Sequence, residues 1–375
     1  MSFDPVQLAV PGVRDLAPYE PGKPIETLAR EYGLDDIIKL ASNENPRGPS
    51  PRAVEAAQQA AAHVNRYPDG AGSALRERIA TQFCVEPEAI TLGNGSNDVL
   101  DMVARTFLGP GRNAVFSRHA FAVYPIATRA AGAAAHVADA RPPDDEAAPY
   151  GHDLDAMYRC IDGDTGVVFI ANPNNPTGTW LDGERLYRFL AAVPEHVVVV
   201  VDEAYAECVQ GVEGYIEANA WLGELPNLIV TRSFSKIHGL SGLRCGYALS
   251  STAIAELLNR VRHPFNVNSI ALAAAEAALD DAVFLEKSRN VNAKGLRQLQ
   301  DGLKGLGLDV IPSVANFVAV AVGRDAGPVY EALLRRGVIV RPIGGYELPH
   351  HLRVSVGTHE ENERFLAALQ QVLTA

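Results

Sequence analysis

The segment Thr231-Arg-Ser-Phe-Ser-Lys236 places an amine among small hydroxyl side chains just after an apolar run, with Arg244 eight residues further on. Two serines and a guanidinium can surround a phosphate, leaving the amine to attack a carbonyl. Cationic neighbours and partial desolvation help such an amine shed its proton. A lone lysine is more often an ordinary loop residue on the surface, and only its neighbourhood argues otherwise here. A second segment, Val201-Asp202-Glu-Ala-Tyr205, closes a run of five valines. Ligands gather at the carboxyl ends of strands in a parallel sheet. There Asp202 can hold a protonated ring nitrogen, or simply cap the next helix. Tyr205 can hydrogen-bond a ring hydroxyl or pack.

Two further segments also follow candidate strands. Ala171-Asn-Pro-Asn-Asn-Pro-Thr-Gly178 crowds two prolines and a glycine into one turn, with uncharged donors beside them. Asn172 is its functional candidate; Asn174 and Asn175 read as turn-formers. Gly93-Asn-Gly-Ser-Asn-Asp98 lies between a strand and a helix, where backbone N–H groups make an anion site. It lacks the third glycine and the downstream acid of a dinucleotide fingerprint, but is adequate as a cradle for a single phosphate.

Rival chemistries fail on spacing. Ser233-Phe-Ser-Lys236 satisfies the S-x-x-K pattern of serine acyl-enzymes, but no K-T-G follows, and the lysine sits after a strand instead of inside a helix. The ten histidines, His238 and the pair His350-His351 among them, show no H-E-x-x-H spacing, and no metal is expected. Cys84, Cys160, Cys208 and Cys245 form no C-x-x-C pair and read as free thiols of a reducing compartment. A net charge of -12 argues against a nucleic-acid surface. The first 50 residues leave no room for a helix-turn-helix, so a cofactor-sensing DNA-binding regulator is a weak alternative. No basic-then-apolar leader and no membrane-length apolar run are visible. The expectation is a soluble, cytoplasmic protein.

The elements that must position these residues alternate. Strands are expected at 89–92, 114–117, 167–170, 197–201, 228–231 and 245–249, with helices at 51–63, 97–107, 181–192 and 253–261 between them. The valine run has the pattern of a strand covered on both faces. Alternation of this kind gives an α/β, three-layer, mostly parallel sheet. After residue 266 the pattern changes to helices at 269–279 and 284–306, strands at 317–322, 338–341 and 352–356, and a helix after Thr358. The 375 residues therefore divide into an arm (1–30), a large α/β domain (47–266) and a smaller α+β domain (31–46 with 267–375).

NPNNPTG, DEAY, SFSK and Arg244, in this order and spacing, resemble the fold-type-I pyridoxal-phosphate-dependent aminotransferases, and within them the histidinol-phosphate subfamily. The likeness runs from Tyr19-Glu-Pro-Gly-Lys-Pro24 to Leu352-Arg-Val-Ser-Val-Gly357. It implies pyridoxal 5'-phosphate as cofactor, with Lys236 as the Schiff-base lysine that also shuttles the substrate's proton. Asp202 matches the partner of the pyridine nitrogen, and Asn172 and Tyr205 the ligands of the ring's 3-oxygen. Phe121 matches the stacking aromatic. Gly95, Ser96, Asn97, Ser233, Ser235 and Arg244 match the phosphate site, and Tyr67 a tyrosine donated to it across a homodimer interface. Arg353 matches the arginine that grips the substrate's acidic group; Tyr19 and Arg341 match residues at the substrate end. The chain departs from the family at Asn97-Asp98, where an Asp-Glu pair is common. The implied reaction is ping-pong transamination of histidinol phosphate with 2-oxoglutarate, giving imidazole-acetol phosphate and glutamate in histidine biosynthesis. Aromatic amino-acid transamination, or decarboxylation of a phosphorylated amino acid, would be alternatives on the same scaffold.

Overall fold

The computed structural model describes residues 3–19, 21–209 and 211–374. Its strands are β1 (Ile38–Lys39), β2 (Ile90–Gly93), β3 (Asn113–Ser117), β4 (Ala134–Ala138), β5 (Thr165–Ala171), β6 (Val198–Asp202), β7 (Leu228–Ser233) and β8 (Gly246–Ser250). They continue with β9 (Val310–Ile311), β10 (Phe317–Ala321), β11 (Val338–Ile339), β12 (Arg341–Pro342) and β13 (His351–Ser355).

Seven strands form the central sheet in the order β2-β8-β7-β6-β5-β3-β4. β8 runs antiparallel to both its neighbours; the other pairings are parallel. The expected mostly parallel sheet is thus present, with one reversed strand. Val198 and Val200 enter one apolar cluster and Val199 and Val201 another, so β6 has helices on both faces. Several of the expected helices begin at side-chain caps. Ser50 precedes Pro51–Ala61, with proline in the first turn; Asp182 precedes Gly183–Ala192; Asp281 precedes Ala282–Gly305.

The second half builds the four-stranded antiparallel sheet β12-β13-β10-β9 and the parallel pair β1-β11. Leu299, Leu303, Val354 and Phe365 join strands and helices there in a separate core. The single strand expected at 338–341 is two. β11 pairs with β1, and after Val340 the chain changes partner to β13. Proline at 342 lacks the N–H for an ordinary ladder and suits such an edge.

Several elements carried no sequence signal. β4 is an Ala-rich, largely exposed edge strand, without the β-branched run that marks its neighbours. Helices Ser73–Phe83 and Val123–Ala130 were likewise unmarked.

One residue of β7 holds the layer beneath the cavity together. Arg232 is buried, and its guanidinium donates to Glu203 at 2.6 Å, Glu207 at 3.2 Å and Glu217 at 2.8 Å. Glu203 also accepts the backbone N–H of Ala218 at 2.6 Å, and burial pushes its carboxyl up to about 7 even beside the guanidinium. Removing one partner of a buried pair leaves an uncompensated charge and costs about 3–5 kcal/mol. Arg232→Met should therefore lower the unfolding free energy measured by urea denaturation by an amount of that order, while Glu217, at the rim, should tolerate Gln at a fraction of the loss.

Candidate active site

A cavity of about 400 Å³ opens at the carboxyl ends of β5, β6 and β7. Register explains the convergence. Asp202 pairs with Ala171 on one side and Thr231 on the other, so Asn172, Asp202 and Ser233 leave the sheet at one edge.

Lys236 follows β7 in a loop closed by the N–H of Leu240 donating to the carbonyl of Phe234 at 3.0 Å. Gly239 (φ +70°) lets this loop meet the backbone at Gly48, where a Cβ would approach the Gly48 carbonyl oxygen to 2.2 Å. The Lys236 Nζ lies 3.4 Å from the Ser42 carbonyl oxygen and 5.5 Å from the centroid of the Tyr205 ring. Burial, then the positive charges of Arg353 and Arg244, lower its pKa to about 8, against opposing pulls from Tyr19 and Glu44.

Asp202 caps no helix. Its carboxylate accepts from Thr231 Oγ1 at 3.0 Å and from the Tyr124 hydroxyl at 3.1 Å. Burial raises its pKa, and these two hydroxyls pull it back. Tyr124 is itself fixed by stacking on Phe169, with centroids 4.9 Å apart, and Phe121 packs edge-on against it at 5.9 Å. Phe121 lines the cavity.

The Asn172 amide is oriented by the Leu181 N–H, which donates to its Oδ1 at 3.0 Å. Its Nδ2 is buried with no partner among the described residues, a donor waiting for an acceptor. The Tyr205 hydroxyl accepts from Asn43 Nδ2 at 2.9 Å, and burial pushes its pKa up to about 12. Both Asn–Pro peptides of the 172–178 turn are cis. Asn174 behaves as a turn residue, donating to Thr177 Oγ1 at 2.8 Å and to the His119 carbonyl at 2.9 Å. Asn175 does more than shape the turn: its Oδ1 accepts from Arg353 Nη1 at 2.6 Å, and it lines the cavity.

Arg353, buried on β13, also donates to the Ala41 carbonyl at 2.8 Å and lies 5.4 Å from the Phe317 ring centroid. The Arg341 guanidinium sits 5.6 Å from the ring centroid of Tyr19, and both residues line the cavity.

The opposite end is an anion cradle. Gly95, at φ +82°, caps helix Ser96–Phe107. Ser96, Asn97, Ser233, Ser235 and Arg244 line the cavity there. Arg244 is held by donating to Ser235 Oγ at 3.1 Å and to the Ser241 carbonyl at 3.0 Å. Helix amides, hydroxyls and a guanidinium together suit a phosphate. Asp98 faces away, accepting from the Asn94 N–H and Asn266 Nδ2, both at 2.8 Å. Tyr67 is the one expected site residue well outside: it is 82% exposed and stacked on Phe265 at 4.6 Å. Sequence reasoning missed Asn43, Tyr124, Thr231 and Asn175 as working residues.

Among the described residues no His, Cys, Asp and Glu side chains cluster to hold a metal ion, and no helix is long and apolar enough to cross a membrane.

An amine of lowered pKa, a buried carboxylate, an orphan amide donor and a phosphate cradle at the ends of parallel strands define a pyridoxal-phosphate enzyme of fold type I. The sequence matches the family "Aminotransferase class I and II" over residues 35–369. It is 58% identical to histidinol-phosphate aminotransferase 2 of Pseudomonas aeruginosa over 372 residues, 99% of each chain. It is also 58% identical to the protein of that name from Methylococcus capsulatus, over 98% of each chain. Among solved structures, the histidinol-phosphate aminotransferase of Sinorhizobium meliloti in complex with pyridoxal-5'-phosphate superimposes with a TM-score of 0.88 at 28% identity, covering 98% of this chain and 97% of that one. Aspartate aminotransferase from Thermus thermophilus with maleate gives 0.81 at 25% identity, covering 94% and 97%. The chain belongs to the class I and II aminotransferases, and it is a pyridoxal-phosphate-dependent enzyme.

A Cβ on Gly95 would stand 2.4 Å from Arg244 Nη2, at a backbone angle that favours glycine. Gly95→Ala should therefore displace the guanidinium and weaken pyridoxal-phosphate binding by about 10-fold or more, the loss of one charge-assisted hydrogen bond. Titrating the apoprotein with cofactor measures it.

Proposed function

We propose that this enzyme moves an amino group between histidinol phosphate and 2-oxoglutarate, yielding imidazole-acetol phosphate and glutamate, a step of histidine biosynthesis in the cytoplasm. The observation that carries the reading is 58% identity to a histidinol-phosphate aminotransferase along 99% of both chains. The two arginines at one end of the cavity suit it, because a planar guanidinium accepts carboxylate and phosphate alike.

The residues fit the cofactor. Ser96, Asn97, Ser233, Ser235 and Arg244, with the helix start at Gly95, would hold its phosphate. Phe121 would cover the ring, Asn172 and Tyr205 would donate to its oxygen, and Asp202 would serve its nitrogen. When bound there, the protonated ring is an electron sink for charge left at the substrate's Cα. Asp202 would keep the ring nitrogen protonated, and Thr231 and Tyr124 support this by opposing the burial that disfavours its charged form. Lys236 provides the covalent anchor, and its amine, once released, removes the substrate's Cα proton. That amine is a workable base near neutral pH because burial and two guanidiniums have lowered its pKa. Arg353, with Arg341 and Tyr19, orients the donor by its acidic group.

A homodimer is part of the proposal. Tyr67 is exposed and apart from its own chain's cavity, which supports a role for it at a partner's phosphate. No nucleic acid or membrane partner is proposed.

Comparing histidinol phosphate, phenylalanine and tyrosine as donors with 2-oxoglutarate tests the substrate. Histidinol phosphate is expected to give the highest kcat/KM; a preference for phenylalanine would move the enzyme to aromatic amino-acid synthesis. The pH dependence has a definite sign. With a folded pKa of about 8, below the ordinary lysine value, Lys236 is mostly protonated at pH 7 and mostly free above 8. The rate at which apoenzyme captures cofactor should rise about tenfold per pH unit below that point and level off above it.

A further inference from the structure

Asn43 lies just past β1, beside the Tyr205 hydroxyl. Its φ is +56°, a left-handed conformation that asparagine tolerates better than most residues. Three hydrogen bonds from the second sheet's end hold it there. Its backbone N–H donates to Ser355 Oγ at 2.8 Å, Ser355 Oγ donates back to Asn43 Oδ1 at 3.0 Å, and Asn316 Nδ2 donates to the Asn43 carbonyl at 2.8 Å. A serine hydroxyl has one hydrogen. Ser355 spends it on Oδ1, which settles which end of the Asn43 amide faces the cavity. Nδ2 is left to donate to the Tyr205 oxygen at 2.9 Å. The flipped amide would leave the Ser355 hydrogen with no acceptor among the described residues.

The consequence falls on Tyr205. Its oxygen is already an acceptor, and no other hydrogen bond involves it among the described residues, so its own hydrogen is left for the cavity it lines. Asn172 obeys the same logic, since Leu181 occupies its Oδ1 and frees Nδ2. Two donors, each with its polarity set by a second bond behind it, follow the ends of the adjacent strands β5 and β6.

We propose that Asn43, locked by Ser355, is a positioning residue that fixes the Tyr205 hydroxyl as a donor toward the ring oxygen of pyridoxal phosphate. The inference rests on the reading that Tyr205 faces that oxygen. The chain Ser355 to Asn43 to Tyr205 favours the ionised oxygen, because hydrogen bonds donated to a charged form stabilise it. Loss of the donor therefore raises the pH at which the bound cofactor's visible absorbance changes.

The test uses cofactor-loaded enzyme and that absorbance midpoint, with cofactor affinity as a second readout. Tyr205→Phe removes the donor and should raise the midpoint by about 1–2 pH units, the worth of a hydrogen bond to a charged group. Asn43→Gly keeps the backbone at ease at positive φ, and Ser355→Ala frees the amide to flip and capture the tyrosine hydrogen. Each should raise the midpoint by about half a unit or more and weaken cofactor binding several-fold. In the Tyr205→Phe background, both should add less than about 0.3 unit, the limit expected when two changes act through one group. Equal shifts in both backgrounds, or no shift from either variant beside a clear one from Tyr205→Phe, would overturn the inference. An unshifted midpoint in Tyr205→Phe itself would remove the ring-oxygen assignment, and this inference with it.

Discussion

Burial acts on two opposite charges in one small cavity, and the rest of the site answers to that. Desolvation penalises whichever form of a group is charged. For Lys236 this is useful, because transamination needs the free amine, and the fields of Arg353 and Arg244 push the same way. For Asp202 the same burial is harmful, because a neutral acid could not hold a ring proton. The protein therefore opposes it with two hydroxyl donors, one on each carboxylate oxygen.

The sheet makes that placement possible. β5, β6 and β7 are parallel and in register, so three successive carboxyl ends deliver Asn172, Asp202 and the loop of Lys236 to one edge. Thr231 reaches Asp202 because the two are cross-strand partners. The valines of β6 serve this purpose indirectly: a strand packed on both faces cannot shift, and a one-residue slip would send Asp202 to the wrong side. Beneath it, Arg232 ties β7 to the turn after β6 through Glu203 and Glu207, so both functional loops share one buried anchor.

The residues of the site that were legible in the sequence sit in compact motifs. NPNNPTG, DEAY and SFSK concentrate rare combinations of glycine, proline and polar side chains within a few positions, each straight after an apolar run. What was not legible acts at long sequence separation. Asn43 meets Tyr205 across 162 residues, Tyr124 meets Asp202 across 78, and Asn175 meets Arg353 across 178. No local pattern announces such a partner; each residue alone is compatible with a turn or a core. Asn175 shows the difference well, since its local role as a turn-former was readable and its contact to Arg353 was not. The fold was readable where strands are buried and β-branched, and unreadable at the exposed, Ala-rich edge strand β4.

Arg353 joins these themes. It is anchored to the 172–178 turn by Asn175 and to the chain beside Asn43 by the Ala41 carbonyl, so the two parts of the protein meet at a residue that lines the cavity. Its positive charge is also the leading electrostatic cause, after burial, of the low pKa of Lys236. An anion seated on this guanidinium offsets that field, and Coulomb interactions over such distances are substantial where water is excluded. The amine then holds a proton more readily with substrate in place than without it. An arginine so placed can pair with an anion and also tune the neighbouring amine: its field holds down the proton affinity of Lys236 while the site waits, and an anion paired with it restores that affinity. A lysine or a neutral residue at 353 would separate these two effects, because an ammonium keeps the charge without the fork, and a neutral side chain loses both.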